Sequence, residues 1–254
     1  QFLGLSENAK SCTILNEEDL SLHFNKKTKQ LTATSRGPIL IKNENLQYEI
    51  QFDIKDFIID YGYIDVDREV FKIKSVIYTG TSFFKPFKEK DALVENHRKE
   101  TYKGSVLHFM RSMASKTLKP EGYQVFSSSF VVDPSKYINV RPIKTSDSVE
   151  VKMRLPISVL YNDQVQSMML SSYPNPKNSN IKEPRFSMPK EGDTIEVISS
   201  IAPSKKPSTL PYFNTEIIID GFGNYSPIGA FSFIGYMGNL RIGDTLPLDY
   251  QLEN

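Results

Sequence analysis

The sequence lacks tryptophan altogether and holds only one cysteine and three histidines among its 254 residues. A single cysteine, Cys12, excludes an internal disulfide and any metal site built from several cysteines. Lys and Arg number 31 against 30 Asp and Glu, so the formal net charge of +1 gives no reason to expect a nucleic-acid or anionic-membrane partner. No apolar run approaches the roughly 20 residues of a membrane-spanning helix, so we expect no transmembrane segment in this chain.

The first four residues, QFLG, contain no initiator Met and no export signal. We interpret the chain as a processed product or a fragment. At this length it can bury one large core or two small ones, and its hydrophobic content of 39% is typical of a folded protein.

Period-two alternation of apolar and polar residues predicts β-strands over most of the first 80 residues. Residues 20–24 and 31–33 alternate on either side of the turn sequence NKKTK at 25–29, which predicts a hairpin. Residues 46–55 alternate strictly, as in a strand with one wet face, and residues 71–77 predict another strand.

The period-two pattern stops at residues 88–118, and the charged stretch and helical spacing found there predict a helical insertion. The part up to Lys103 is highly charged, which predicts a surface location. Ser105 is placed as the N-cap of a second, amphipathic helix that ends near Lys119 and Pro120. Its apolar stripe (Val106, Phe109, Met110 and Met113) is predicted to pack on the sheet, and the opposite side (His108, Arg111, Ser112 and Ser115) to face solvent or a neighbouring element.

Further strands are predicted over residues 123–132, 149–155, 166–170, 194–199, 216–220 and 231–236, with a proline-rich loop over 171–192. The predicted fold class is mainly β (α+β), with antiparallel sheets and one helical insertion around residues 88–118. We expect a single β-rich region over residues 1–254, with any sub-boundary near 118–122.

The tail, residues 235–250, is predicted to belong to the folded body. Arg241 is close in sequence to Asp244 and Asp249 and could hold either carboxylate bidentately. Leu246 and Leu248, on either side of Pro247, are predicted to dock on the core. Residues 252–254 are predicted to be dispensable.

The histidines are weak candidates for metal binding. His97-x-x-Glu100 matches the first two ligands of a zinc carboxypeptidase site, but a catalytic zinc needs a third ligand and no histidine follows His108. A charged helix face is the favoured interpretation. A site built from His23, His97 and His108 would need three distant segments to converge. We therefore expect no metal and no cofactor.

Nucleophiles and acidic groups have simpler structural interpretations as well. The sequence contains no G-x-S-x-G elbow and no phosphate-binding loop. Ser105 is explained as an N-cap, and Cys12 as a small buried side chain. Asp60, Asp65 and Asp67 could hold calcium weakly, but their spacing misses the EF-hand pattern, so ordinary turn acids are favoured.

Three segments together carry a family resemblance. The chain opens with QFLG, followed by CTILN at residues 12–16; residues 102–111 read YKGSVLHFMR, followed by EGYQV at 121–125; and the tail ends in RIGDTLPLDY at 241–250. This set resembles, from end to end of the chain, an extracytoplasmic Bacteroidota family labelled "carboxypeptidase-like regulatory domain-containing protein", in the region downstream of its regulatory-like β-sandwich. The residues that match its motifs are Tyr102, Gly104, Ser105, His108, Phe109, Arg111, Arg241, Asp244, Pro247, Asp249 and Tyr250.

The resemblance implies an exported protein at the outer membrane, in the periplasm or on the cell surface, with a transthyretin-like β-sandwich upstream of the region present here. No catalytic residues are established for this region, so none is carried over. Met237 stands where the family usually has Trp, and Asn96 lies near a position where Trp is common. Triplets at 147–149, 193–195 and 244–246 match the O-glycan acceptor pattern of these bacteria.

The expected function is a non-enzymatic cell-envelope module that mediates protein-protein contacts, with an envelope protein as partner. The alternative is a surface module that binds a glycan or a peptide, with residues 171–192 as the contact. A cryptic hydrolase using Cys12 or Ser105 comes third.

Overall fold

A computed structural model describes residues 2–87, 91–171 and 213–252 of the chain. The chain divides into two compact units. The first comprises Gln1–Thr117, Gly221–Asn224 and Gly235–Asn254, and the second comprises Leu118–Asp220 and Tyr225–Ile234.

The first unit is built on one antiparallel sheet in the order β1-β4-β5-β3-β2, and β6 runs along the remaining edge of β5. The predicted hairpin is confirmed as β2 and β3, and the strand predicted over residues 46–55 is confirmed within β5. The strands are β1 (Cys12–Ile14), β2 (Leu20–Asn25), β3 (Gln30–Ser35), β4 (Ile39–Asn43), β5 (Tyr48–Asp65) and β6 (Val70–Pro86).

The helices of this unit are α1 (Glu7–Lys10), α2 (Ala92–Tyr102), α3 (Val106–Ala114) and α4 (Tyr236–Asn239). The predicted insertion corresponds to α2 and α3, although α3 ends at Ala114 rather than near Lys119. α2 lies at the surface as predicted, with Lys99 and Glu100 exposed. It also has a buried stripe that was not predicted, formed by Val94, Arg98 and Tyr102 at i, i+4, i+8. Among the described residues, no helix has the length and apolar character needed to cross a bilayer.

The core of the first unit lies on one face of the sheet. Alternate residues of β4 and β5 point into it, among them Ile41, Ile50 and Phe52. From the tail, Ile242 and Leu246 join the same core, so the prediction that residues 235–250 belong to the folded body is confirmed. Leu248 does not dock as predicted, since 46% of it is exposed.

The second unit contains two antiparallel sheets, ordered β14-β13-β10-β9 and β15-β12-β11-β7-β8. Residues 149–155 form a strand as predicted, whereas β9 and β11 were not predicted. The predicted strand 194–199 and all but Ser171 of the predicted loop 171–192 lie outside the described residues. The strands are β7 (Tyr123–Ser127), β8 (Phe130–Val132), β9 (Ile138–Pro142), β10 (Val149–Leu155), β11 (Ile157–Tyr161), β12 (Val165–Ser171), β13 (Phe213–Ile219), β14 (Tyr225–Ser226) and β15 (Phe231–Gly235). The protein is therefore mainly β, with several antiparallel sheets and few helices.

Candidate functional site

The turn between α2 and α3 is organised by Gly104 and Ser105. Gly104 has a φ of +75°, which breaks the helix, and the Ser105 hydroxyl accepts the backbone N–H of His108 at 3.2 Å, so the predicted N-cap is confirmed. The backbone N–H of Gly104 in turn donates to Nδ1 of His108 at 3.1 Å. This bond draws the imidazole back over the helix start.

His108 is only 3% exposed, so of the two predicted surroundings of its side of α3, solvent or a neighbouring element, the structure has the neighbouring element at this residue. Ser112 is buried on the same side, while Phe109, Met110 and Met113 fill the apolar side as predicted. The helix is thus covered on both sides. The sequence of an amphipathic helix does not show whether its polar face contacts solvent or packs against a neighbour that supplies polar partners.

Arg111 binds three backbone carbonyl groups, and we call this arrangement the Arg111 clamp. Nη1 donates to Tyr250 O at 2.7 Å, Nη2 to Leu248 O at 2.6 Å and Nε to Phe222 O at 2.9 Å. Gly223 lies so close that an added Cβ would meet Cγ of Arg111 at 2.7 Å. The guanidinium therefore fastens two distant chain segments to α3.

Tyr102 completes this cluster. Its ring lies 4.9 Å from the His108 ring and 5.5 Å from the Tyr250 ring, and the Arg111 guanidinium sits 5.5 Å from the Tyr102 centroid. The structure thus brings the motif residues at 102–111 together with Tyr250 of the tail. Phe109 lies fully buried in the core, and Pro247 is half-buried.

The other tail residues form a second cluster. Oδ1 of Asp244 accepts the Ser6 hydroxyl at 2.6 Å and the Asn8 amide at 3.3 Å. Arg241 donates to the carbonyls of Gly238 and Leu240. The predicted pairing of Arg241 with Asp244 or Asp249 is therefore wrong: no such ion pair occurs among the described residues, and Asp249 is exposed.

Arg98 is a site residue that the sequence reasoning missed. It is 2% exposed, donates from Nε and Nη2 to Leu46 O at 2.9 and 2.7 Å, and lies 4.0 Å from the Tyr48 ring centroid. The signal was its spacing of four from both Val94 and Tyr102, which places it on the buried stripe of α2.

Cys12 has the environment of an inert thiol. Its Sγ donates to Asn8 O at 3.2 Å, and burial together with the negative charge of Asp244 raises its pKa to about 11. The side chain is half-buried against the core of the first unit, in agreement with the predicted packing role. A thiol held protonated at neutral pH is a poor nucleophile.

The candidate metal ligands have local partners. Nδ1 of His97 lies 3.3 Å from Asn45 O, and Glu100 accepts the Asn96 amide at 3.0 Å. Asp60 sits within β5, where Gln30 and Ser75 each donate to it at 2.8 Å. Across the described residues, no three His, Cys, Asp or Glu side chains are placed to hold one metal ion.

An exposed apolar surface lies at the far end of the first sheet, and we call it the hairpin face. Leu22 is 66% exposed, Phe24 39% and Phe71 53%. Tyr61 joins the two aromatic residues, with its ring 6.2 Å from Phe24 and 6.2 Å from Phe71. The hairpin face, completed by Leu31, continues the buried cluster of Ala33, Phe57 and Ile59 on the same side of the sheet.

The hairpin face is not predicted from the sequence, because the same alternation of apolar and polar residues occurs whether the apolar side of a strand is buried or exposed.

Comparison with family models, with curated proteins and with solved structures gives no match to this chain. The class that the fold and site define is a mainly-β protein, with arginines that fasten its chain segments and an apolar sheet face left exposed.

Proposed function

We propose that this chain is a non-enzymatic module of the bacterial cell envelope that mediates protein-protein contacts through the hairpin face. The observation that carries the proposal is the exposure of Leu22, Phe24 and Phe71 on a face that elsewhere forms core. Contiguous exposed apolar side chains on a soluble domain are typical of protein interaction sites. Aromatic residues are also the side chains most enriched at such interfaces.

The side chains that could otherwise perform chemistry are held in structural contacts. Arg111 is engaged by three carbonyls, His108 by Gly104 and Tyr102, and Cys12 is kept as a thiol by its raised pKa. Each of these groups has a structural task. The raised pKa of Cys12 and the N-cap role of Ser105 weigh against a cryptic hydrolase that uses either residue.

The proposed location rests on the resemblance alone. It places the chain outside the cytoplasm of a Bacteroidota cell, associated with the outer membrane, the periplasm or the cell surface. The proposed partner is then an exported protein.

The alternative is a glycan-binding surface, favoured by the three neighbouring rings of Phe24, Tyr61 and Phe71. The faces of aromatic rings can stack on the apolar faces of sugars. Retention on a glycan array that is lost in Phe71→Ser would favour this alternative.

The test is photo-crosslinking in intact envelopes. A photoreactive phenylalanine analogue replaces Phe71, and the matched control carries it at Phe83, which is 63% exposed on the same strand. Phe83 pairs with the exposed Gln51 and so lies on the other side of the sheet. We expect protein adducts at Phe71 and few at Phe83. Equal labelling at both positions, or no protein adduct at Phe71, would contradict the proposal.

A further inference from the structure

We propose that β6 binds an extended peptide segment of another protein as an additional β-strand, and that this segment carries acidic residues at both ends. The binding surface is the side of residues 75–84 that points away from β5, and we call it the β6 edge. The β6 edge is distinct from the hairpin face, so this binding site is independent of the proposed function.

β6 is an edge strand of the first sheet, because among the described residues it pairs only with β5. It is 17 residues long, whereas edge strands in natural proteins are commonly short or covered. Within the described ranges, no backbone hydrogen bond joins residues 75–84 to any segment other than β5. The β6 edge therefore presents a row of backbone groups to a partner.

The orientation of these backbone groups follows from the end of the strand. The N–H of Phe87 donates to Gln47 O at 3.4 Å, on the β5 side. Because successive residues of a strand direct their backbone groups to opposite edges, Gly80 and Ser82 present N–H and C=O groups outward. Pro86 has the same outward orientation, where its missing N–H removes no bond to β5. An extended peptide backbone is the ligand that pairs with such a row.

The side chains of the β6 edge favour strand pairing. Residues 75–84 read SVIYTGTSFF, with no charge, no proline and several β-branched and aromatic residues. An uncharged segment of this kind on an open edge pairs readily with another chain, and natural edge strands ordinarily prevent this with a charge or a proline. Ile77 is 52% exposed and Phe83 63%, so side chains of an added strand can pack beside both.

Charges select which peptide fits. Lys74 and Lys85, both exposed, flank the uncharged segment, and β6 contains no acidic residue. Opposite the middle of the segment, β5 contributes Asp53 and Asp56. A complementary peptide therefore has acidic residues at its two ends and uncharged residues between them.

The same charges disfavour a second copy of this chain as the occupant. An antiparallel pair of two β6 edges centred on Gly80 would set Lys85 opposite Ser75, beside Lys74 of the second copy. Lysines would meet at both ends of the pair, with no acidic residue on either β6. Like charges on neighbouring strands are destabilising.

Peptide binding to the full chain, combined with hydrogen exchange, tests the proposal. The probe is the fluorescently labelled peptide EETVTVTVTVEE, and fluorescence anisotropy measures its dissociation constant. In NMR hydrogen exchange, the peptide should protect the outward amides of Tyr78, Gly80 and Ser82. It should leave the amides of Ile77 and Phe83 unchanged, because these already point to β5. Docking on a sheet face would not produce this alternation.

The charge preference is tested by exchanging charges on both sides. The peptide KKTVTVTVTVKK should bind the wild-type chain about tenfold or more weakly than the acidic peptide. Lys74→Glu/Lys85→Glu should reverse this preference. Lys136→Glu/Lys144→Glu makes the same change of charge at two exposed positions of the second unit and should keep the wild-type preference.

Any of four results would overturn the inference. They are no binding of the acidic peptide up to about 1 mM, binding without alternating protection, a charge preference that Lys74→Glu/Lys85→Glu leaves unchanged, and outward amides that become protected without peptide as protein concentration rises. The last result would identify a second copy as the occupant. Crosslinking at Phe71 reports on the hairpin face alone, so either proposal can fail while the other stands.

Discussion

Two arginines illustrate how this molecule uses guanidinium groups. Arg98 and Arg111 bind backbone carbonyls rather than carboxylates, and each also lies over a tyrosine ring. The planar fork of arginine donates several N–H groups in fixed directions, which a lysine cannot reproduce. In the motif YKGSVLHFMR the arginine therefore fastens distant chain segments to α3.

We expect Arg111→Met to lower the free energy of unfolding by about 3 kcal/mol, because three carbonyls lose a charged donor. Arg111→Lys should recover only part of the loss, since one ammonium cannot reach all three oxygens. Urea denaturation monitored by circular dichroism measures both. Arg141→Met, at an exposed position, should stay within about 0.5 kcal/mol of the wild type. An Arg111→Met chain as stable as this control would show that the clamp adds nothing.

His108→Ala should cost about 2–4 kcal/mol, because it empties a buried space and leaves the Gly104 N–H without its acceptor. Met110→Ala should cost a similar amount, about 2–5 kcal/mol. Denaturant melts of both variants test this expectation. The exposed Lys99→Ala serves as the reference. If His108→Ala behaved like Lys99→Ala, the burial of the imidazole would have no energetic weight.

The raised pKa of Cys12 predicts how its alkylation rate depends on pH. Its folded pKa of about 11 lies above the usual value of 9.0, so at pH 8 the thiolate is about 100-fold scarcer than in a free thiol. Alkylation by iodoacetamide should be slower by about that factor and should rise steeply towards pH 11. Because the unfolded thiol ionises first, the stability from this group is complete below pH 9 and is lost between 9 and 11. Fast alkylation at pH 8 in native protein, but not in the Cys12→Ala control, would contradict the assignment.

For single residues, the sequence predicted correctly those roles that depend only on neighbouring residues in the chain. Ser105 was identified as an N-cap because capping depends only on the adjacent turn. Arg98 was missed because its acceptor, Leu46 O, is distant in sequence. The burial of His108 was left open because Tyr250, whose ring packs on its neighbour Tyr102, is also distant in sequence. The periodic signal for Arg98 came only from the apolar Val94 and the aromatic Tyr102, four residues to either side of it.

Among the elements, the β5–β6 hairpin requires the closest backbone approach. Its register shifts between Ile54 and Asp56, and at this place Gly80 lies under the ring of Phe52. A Cβ on Gly80 would stand 2.2 Å from Asp53 O and 2.6 Å from the Phe52 ring. Glycine is needed here because both neighbours occupy the space of a side chain.

We expect Gly80→Ala to destabilise the first unit by about 1–3 kcal/mol, since either the strand or the Phe52 ring must shift. Gly37→Ala is the matched control, because a Cβ there meets nothing within 4 Å. Thermal denaturation of the two variants should separate them clearly. Equal melting temperatures would mean that the bulge relaxes at no cost.

Strands were predicted correctly from the sequence where one face of the strand is exposed to solvent. The alternation at 46–55 located β5, and 149–155 located β10, because polar residues mark the solvent side. β11 was missed because Ile157, Ser158 and Val159 are all buried, so no alternation exists there. The same physics hid the hairpin face, whose apolar side chains alternate as core residues do.

At the scale of the whole molecule, the two ends of the chain meet in the first unit. The backbone N–H of Gly243 donates to Leu3 O at 2.9 Å, and the Asn43 amide donates to Gly243 O at 2.9 Å. A Cβ on Gly243 would approach Leu3 O and Cα of Ala9 at 2.7 Å each. The tail is therefore packed between the N-terminal segment, at Leu3 and Ala9, and strand β4, at Asn43.

A chain that ends at Ile234 should lose the structure of its first unit. It lacks Ile242 and Leu246 from the core, the Asp244 acceptor of Ser6, and two of the three carbonyls that Arg111 binds. Each loss exposes apolar surface or leaves a polar group without its partner, and together they exceed the few kcal/mol by which a domain is stable. Amide hydrogen exchange should show β4 and β5 exchanging fast, whereas a chain shortened only by residues 253–254 should keep them protected. If β4 and β5 remained protected without residues 235–254, the tail would be an appendage, and Arg241 and Asp249 would become candidates for binding a partner.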